Sequence, residues 1–232
     1  MATHRPGGIT GNGHLYIAAK APRPGLVKTR LGAGIGHATA TALYTAFLRD
    51  LGARFEGGPF RLGWYVTPDG AWSEIGPLVG AGTATAVRLQ PDGDWSHRQR
   101  HLLETAAAEG ERPVVLIASD SPHLTTAYVA DAFRALHDHD VVLGPTYDGG
   151  YALIGMRGWH DVLDGVVMST SDVASAIRRR AHALGLRVHL LPPTFDVDEP
   201  GDLDPLLRTL AIRDDLPATA AAVAANGCSA GA

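Results

Sequence analysis

The chain has 20 basic residues, yet only two are lysine: Lys20 and Lys28, both in the stretch IAAKAPRPGLVKTRLGAG (17–34). A lysine ammonium is a compact point charge, and arginine's planar fork does not replace it at every phosphate. The glycine and prolines between the two lysines force an irregular backbone. Such a loop, placed before a helix, can turn amide N–H groups toward an anion. Lys20 and Lys28, with Arg30, therefore read as positive charge for a phosphate. The pattern is neither a GxxxxGK[ST] loop nor a GxGxxG fingerprint, because Gly32, Gly34 and Gly36 follow the basic run. The plain alternative is a solvated basic loop.

Three acidic constellations accompany it. In IASDSPHL (117–124), Asp120 follows a strongly apolar run. A carboxylate there suits Mg²⁺ or Mn²⁺, hard ions that take oxygen ligands and fill their remaining positions with water or phosphate. Its alternative is a cap on the following turn. In GPTYDGGYALIGM (144–156), Asp148-Gly149-Gly150 reads as a hairpin turn. Its glycines admit a ligand close to the backbone, and Asp148 and Tyr151 are placed to meet that ligand's hydroxyls. In TFDVDEPGDL (194–203), Asp196 and Asp198 are expected to turn opposite ways, so that one enters a given site and joins Asp120 as a second metal carboxylate. Here the alternative is a helix lead-in, with Asp198 or Asp202 as cap. Taken together, the four stretches describe an enzyme that handles a nucleotide diphosphate through a divalent ion. The ion and the basic residues would neutralise the phosphates and stabilise a leaving group.

The elements that must position these residues alternate in type. Short apolar runs at 14–19, 61–67, 85–90, 113–119, 140–146, 151–156 and 187–193 read as strands. Helical spacing covers 38–55, 96–110, 125–139, 171–185 and 200–212, with a short helix at 71–80. Thr125 or Thr126 is expected to cap one helix, and Gly185 to stop another. This alternation gives an α/β fold with a mostly parallel sheet, in which ligands collect at the carboxyl ends of the strands. Residues 1–13 read as a flexible N-terminus and 14–213 as one domain; the Ala-rich 214–232 reads as a helix fraying into a disordered tail.

Composition narrows the function. A net charge of −4 argues against nucleic-acid polymers as partners. The single cysteine, Cys228, precludes an intrachain disulfide and fits a reducing compartment. No apolar run reaches membrane-spanning length, and no signal core is present, so a cytoplasmic location is expected. The 11 histidines are scattered, and His137-Asp138-His139 reads as a helix terminus, not a metal site.

The ordered motifs KAPRPGLVKTRL, LYTAFLRD, QPDGDW, SDSPHL, LGPTYDGGYALIGM and DVDEPGDL resemble the DUF2064 family of bacterial transferases, also called rSAM/selenodomain-associated transferase 1. That family is similar to the GT-A nucleotide-diphospho-sugar transferases, a group that includes MobA-like nucleotidyltransferases. The resemblance spans roughly residues 14–210 and implies a three-layer α/β/α, Rossmann-like single domain. It implies nucleotide binding by Lys20, Gly25, Lys28, Arg30, Ser119 and Asp120, and metal binding by Asp120 and Asp198. It implies substrate binding by Asp94, Gly149, Gly150 and Tyr151. Two departures concern the acceptor side. Where the family reads Leu-Gly-x-Arg-Met, this chain has Trp95-Ser96-His97-Arg98-Gln99, and Ala152 replaces the second tyrosine of GGYYLIG.

The resulting expectation is a glycosyltransferase. It would use a nucleotide-sugar donor, of which UDP-hexoses are the commonest in such folds, together with Mg²⁺ or Mn²⁺ and a small-molecule acceptor hydroxyl. Asp148 is the expected base, with Asp196 its rival. A nucleotidyltransferase releasing pyrophosphate is the second reading, and a non-catalytic nucleotide-binding module the third. Oligomeric state is open, a homodimer being one option.

Overall fold

The structure, a computed structural model, describes residues 13–80, 85–168 and 170–228. The expectation for the N-terminus, except at Gly13, and the end of the tail at 229–232 lie outside the described residues.

Seven strands form one sheet in the order β3-β2-β1-β4-β6-β5-β7. They are β1 (His14–Lys20), β2 (Arg61–Thr67), β3 (Ala86–Leu89), β4 (Val114–Ala118), β5 (Val141–Pro145), β6 (Tyr151–Met156) and β7 (Val188–Leu190). All pairings are parallel except those of β6, which runs antiparallel to both β4 and β5. The Asp148-Gly149-Gly150 segment is therefore a hairpin turn, as its composition required, and Tyr151 starts at the same edge of the sheet where β4 and β5 end.

Strand alternation divides the core into two layers. Val115 and Ile117 of β4 pack on one face, against α2 (His37–Phe55), α5 (Thr126–Ala135), α7 (Leu203–Ile212) and α8 (Pro217–Ala225). Val114 and Leu116 pack on the other, against α4 (Trp95–Ala108) and α6 (Val173–Ala183). The result is the three-layer α/β/α arrangement. A short α3 (Trp72–Ile75) leads through a 3-10 turn toward β3. Thr125 caps α5 by accepting a hydrogen bond from the Tyr128 amide.

Two features lie beyond the sequence reading. The basic stretch contains a seven-residue helix, α1 (Thr29–Ile35), that its two glycines concealed. At the other end, α8 docks on α2 and contributes Val223 to the core. Asp50, on α2, is 4% exposed and accepts hydrogen bonds from the amides of Ala218 (3.0 Å) and Thr219 (2.8 Å). It thus supplies the cap that α8 lacks in its own sequence. Asp50→Ala strands those two amides and is expected to cost about 2–4 kcal/mol. Thermal unfolding of the variant measures this, and an unchanged Tm would remove Asp50 from that role.

Candidate active site

A cleft of about 830 Å³ opens at the carboxyl ends of β1, β4 and β5. Its floor is set by β1 and β4. The chain leaves β1 at Lys20, whose amide donates to the Tyr44 hydroxyl at 2.9 Å. The same hydroxyl shares a hydrogen bond with Ser119 Oγ at 2.9 Å. Burial, with the Asp120 charge adding to it, pushes the Tyr44 phenol pKa up, so it stays neutral and pins the two loops together.

The 194–199 segment reaches the cleft because hydrogen bonds tie it to neighbouring loops. Val197 donates its amide to the Asp120 carbonyl at 3.0 Å. Ser121 Oγ donates to the Phe195 carbonyl at 3.0 Å. Thr194 pairs with Thr146 as a parallel bridge. His123 stacks on the Phe195 ring at 3.7 Å between centroids and bonds Thr194 Oγ1 at 2.7 Å. Burial, aided by Arg213 and Arg54, lowers the His123 pKa to about 3, so this stack is uncharged at neutral pH.

Held in this way, Val197 turns fully into the core while Asp196 and Asp198 both line the cleft. The expectation that they diverge is corrected: residues two apart on an extended chain share a face. The four carboxylates of Asp120, Asp148, Asp196 and Asp198 thus line the same cleft, near enough for the other three to act on Asp196.

Two of the four converge on an ammonium. Lys28 Nζ lies 2.6 Å from Asp120 Oδ1 and 2.9 Å from Asp198 Oδ1. Burial alone would depress the lysine pKa; the two carboxylates outweigh it, and the pKa is raised. Burial opposes ionisation of Asp198, but Lys28 and Arg30 prevail and hold its pKa below the ordinary value. Arg30 pairs with Asp198 and also with Glu199, the latter at 3.0 Å. Asp202 secures this turn by accepting from the amides of Asp198 and Glu199 at 2.8 and 2.7 Å. The donor set expected for Mg²⁺ or Mn²⁺ is therefore assembled, but Lys28 stands between its members. Among the described residues no three His, Cys, Asp or Glu side chains are grouped to hold an ion. As it stands, the set does not fit a divalent cation.

Asp148 and Asp196 differ in their surroundings. Asp148 Oδ1 accepts from Thr146 Oγ1 and, at 3.0 Å, from the Gly150 amide, so part of its carboxylate is used to shape its own turn. Asp196 makes no side-chain hydrogen bond among the described residues. Burial, then the charges of Asp198, Asp148 and Asp120, raises its pKa to about 6.

The β1–β3 side of the cleft brings two further basic residues. Lys20 and Arg98 both line it, and both also border a smaller adjoining hollow of about 200 Å³. Neither has a carboxylate partner among the described residues. Arg98 Nη1 donates to Gln90 Oε1 at 3.3 Å, and its Nε is buried without a partner. The sequence reading missed Arg98 and Gln90; the signal available was Arg98 standing at the arginine of the Leu-Gly-x-Arg-Met motif.

Several expected site residues play other parts. Asp94 does not line the cleft: it is the N-cap of α4 and accepts from the His97 amide at 2.8 Å. Gly25 forms the turn beneath Leu26 and does not line the cleft either. Gly149 sits against Ser171, behind the wall that Gly150 presents. Tyr151 lines the cleft, but its hydroxyl is engaged by the buried Gln99 amide at 2.7 and 3.0 Å. Ser119, Asp120, Lys20, Lys28 and Arg30 are all in the lining.

Comparison with known proteins agrees with this architecture. The family model described as an uncharacterised protein conserved in bacteria (DUF2064) matches residues 61–170. A solved structure from Desulfovibrio desulfuricans G20, described as a candidate nucleotide-diphospho-sugar transferase, is 28% identical with a TM-score of 0.82. The match covers 93% of this chain and 96% of that one. A cytidylyltransferase from Leptospira borgpetersenii shares the fold at 10% identity, with a TM-score of 0.53 and 93% of each chain covered. A 4-diphosphocytidyl-2C-methyl-D-erythritol synthase from Anaerococcus prevotii does so at 10% identity and a TM-score of 0.54, covering 88% of this chain and 100% of that one. No curated protein matches. Among the described residues no helix is long and apolar enough to cross a membrane.

Proposed function

We propose, for this chain that the DUF2064 family model matches over residues 61–170, transfer of a sugar from a nucleotide-diphosphate sugar to a hydroxyl of a small-molecule acceptor. The observation that carries this reading is the polarity of the cleft. Lys20 and Arg98 come from the β1–β3 side of the sheet and have no carboxylate partner among the described residues, while four carboxylates follow β4, β5 and β7, and Asp196 among them has a pKa near 6.

The two groups suit different parts of the reaction. Lys20 and Arg98 would hold the donor's phosphates, and their charge would stabilise the departing nucleoside diphosphate. Asp196 would take the proton of the acceptor hydroxyl as its oxygen attacks the anomeric carbon and the bond to the phosphate oxygen breaks. A base with a pKa near 6 is ionised at neutral pH yet basic enough to accept that proton. Asp148, tied to its own turn, is better suited to positioning the acceptor. The role of base thus passes from Asp148 to Asp196.

The same polarity favours glycosyl over nucleotidyl transfer. A nucleotidyl acceptor brings a phosphate that attacks as an anion. It needs no base, and Asp196 would have no proton to take. The nucleotidyl reading retains one support, a fold shared with cytidylyltransferases. Phosphorus NMR separates the two, first with UDP-hexoses and then with other nucleotide sugars and with triphosphate pools. Release of a nucleoside diphosphate from a sugar donor is expected. Pyrophosphate from a triphosphate would replace this reading with nucleotidyl transfer. Lys20→Ala is expected to weaken nucleotide affinity by about tenfold with little change in Tm; unchanged affinity by calorimetry would remove Lys20 from donor binding.

A further inference from the structure

Lys28 is the only residue other than glycine with a positive φ (+49°) among the described residues. Left-handed backbone costs a side-chain-bearing residue roughly 1–2 kcal/mol and persists where surrounding contacts over-determine it. Here the contacts are the two carboxylates. The Lys28 side chain is 2% exposed, and those of Asp120 and Asp198 are 34% and 29% exposed. A buried ammonium is therefore aimed at the point where two half-open carboxylates meet.

That point is also where a divalent ion bridging the two would have to sit. Mg²⁺ binds oxygen at about 2.0–2.1 Å and is commonly held by one or two carboxylates, with waters and phosphates completing the shell. An ammonium 2.6 and 2.9 Å from the same two oxygens fills that place. Arg30 then takes the second oxygen of Asp198. A cation entering beside Lys28 would meet a fixed positive charge a few ångströms away and carboxylates already neutralised.

We propose that Lys28 is the resident counter-ion of the Asp120–Asp198 pair and excludes divalent cations from it, so that the ammonium and a metal ion are alternatives at one point. The inference stands on geometry and does not depend on which group the enzyme transfers. Its link to the proposed function is that a donor phosphate able to draw Lys28 away would bare both carboxylates.

The test is Mn²⁺ binding without any substrate, followed by the EPR signal of free Mn²⁺. Lys28→Met is expected to bind one Mn²⁺ per chain at least about tenfold more tightly than the wild-type chain. Lys28→Arg keeps the charge and is expected to stay closed to the ion. Asp120→Asn in the Lys28→Met background is expected to abolish the gain. Because bared carboxylates repel, the Tm of Lys28→Met and of Lys28→Gln is followed with and without Mn²⁺. A rise in the neutral variants and none in the wild type supports exclusion. Equal affinity in wild type and Lys28→Met overturns it. So does a wild-type chain that takes up one Mn²⁺ at micromolar concentration, whatever the variants do. No arm measures transfer, so failure here leaves the transferase reading standing, and failure of that reading leaves this one standing.

Discussion

Asp196→Asn is expected to lower the turnover of donor and acceptor by about 10²–10⁴-fold, the usual worth of a positioned general base. Binding of the nucleotide should change little, because the phosphates are assigned to Lys20 and Arg98 and not to Asp196. The wild-type rate should rise as pH increases toward about 6 and level off above it, following ionisation of Asp196. The residual activity of Asp196→Asn should lack that limb. Stability offers a second reading of the same group. Its pKa is raised above the ordinary 3.8, so the folded chain holds this proton more tightly than the unfolded chain. The associated stabilisation is fully present below about pH 4 and is lost as pH rises through about 6. At pH 7 the ionised carboxylate burdens the fold. Asparagine should therefore raise the Tm at pH 7, by an amount equivalent to about 1 kcal/mol once partial exposure is discounted, and leave it unchanged near pH 4. A variant that keeps most of its activity, or a wild-type profile flat between about pH 5 and 7, would return the role of base to Asp148.

The sequence announced this site unevenly, for physical reasons. β4 is VVLIA, buried on both faces, and a short unbroken apolar run between turn signals has few other uses. The loop after it was therefore readable as the floor of a site, and Asp120 with it. α1 was not readable, because Gly32 and Gly34 are poor helix formers and tertiary contacts override their preference. Asp94 misled because an aspartate before a helix serves equally as ligand or cap, and here the orphan amide of His97 claims it. Arg98 escaped because its neighbours depart from the Leu-Gly-x-Arg-Met motif and drew attention from the arginine that matches it; its unpartnered Nε becomes visible only when α4 is laid against β3 and the end of β1. The relation of Lys28 to Asp198 spans 170 positions and is purely tertiary. Composition identified Lys28 as unusual and assigned it to phosphate. It gave no hint that two carboxylates already hold it.

A structural effect as large as that of Asp50→Ala is expected from Gly149→Ala. Gly149 has φ +91°, and a Cβ there would collide with the carbonyl oxygen of Ser171. The obstacle is backbone, so no side chain can swing aside. The Gly149 carbonyl also accepts from the Ala174 amide at 3.1 Å, which ties the turn to the first residues of α6. Alanine must therefore part the hairpin from α6 or distort both, at an expected cost of about 2–4 kcal/mol. Gly165→Ala is the control. Its φ is +71° and nothing lies within 4 Å of an added Cβ, so it reports backbone strain alone, about 1 kcal/mol. The difference in Tm between the two variants isolates the collision. A functional consequence follows from what flanks Gly149. Asp148 and Gly150 line the cleft on either side of it, between β5 and β6, whereas Lys20 and Arg98 come from β1 and α4. The folded fraction of Gly149→Ala should keep nucleotide affinity and lose transfer to the acceptor more than it loses slow hydrolysis of the donor. Equal Tm values for the two variants would mean that the Gly149–Ser171 contact yields at little cost. A parallel loss of nucleotide binding would mean that the hairpin serves the donor and not the acceptor.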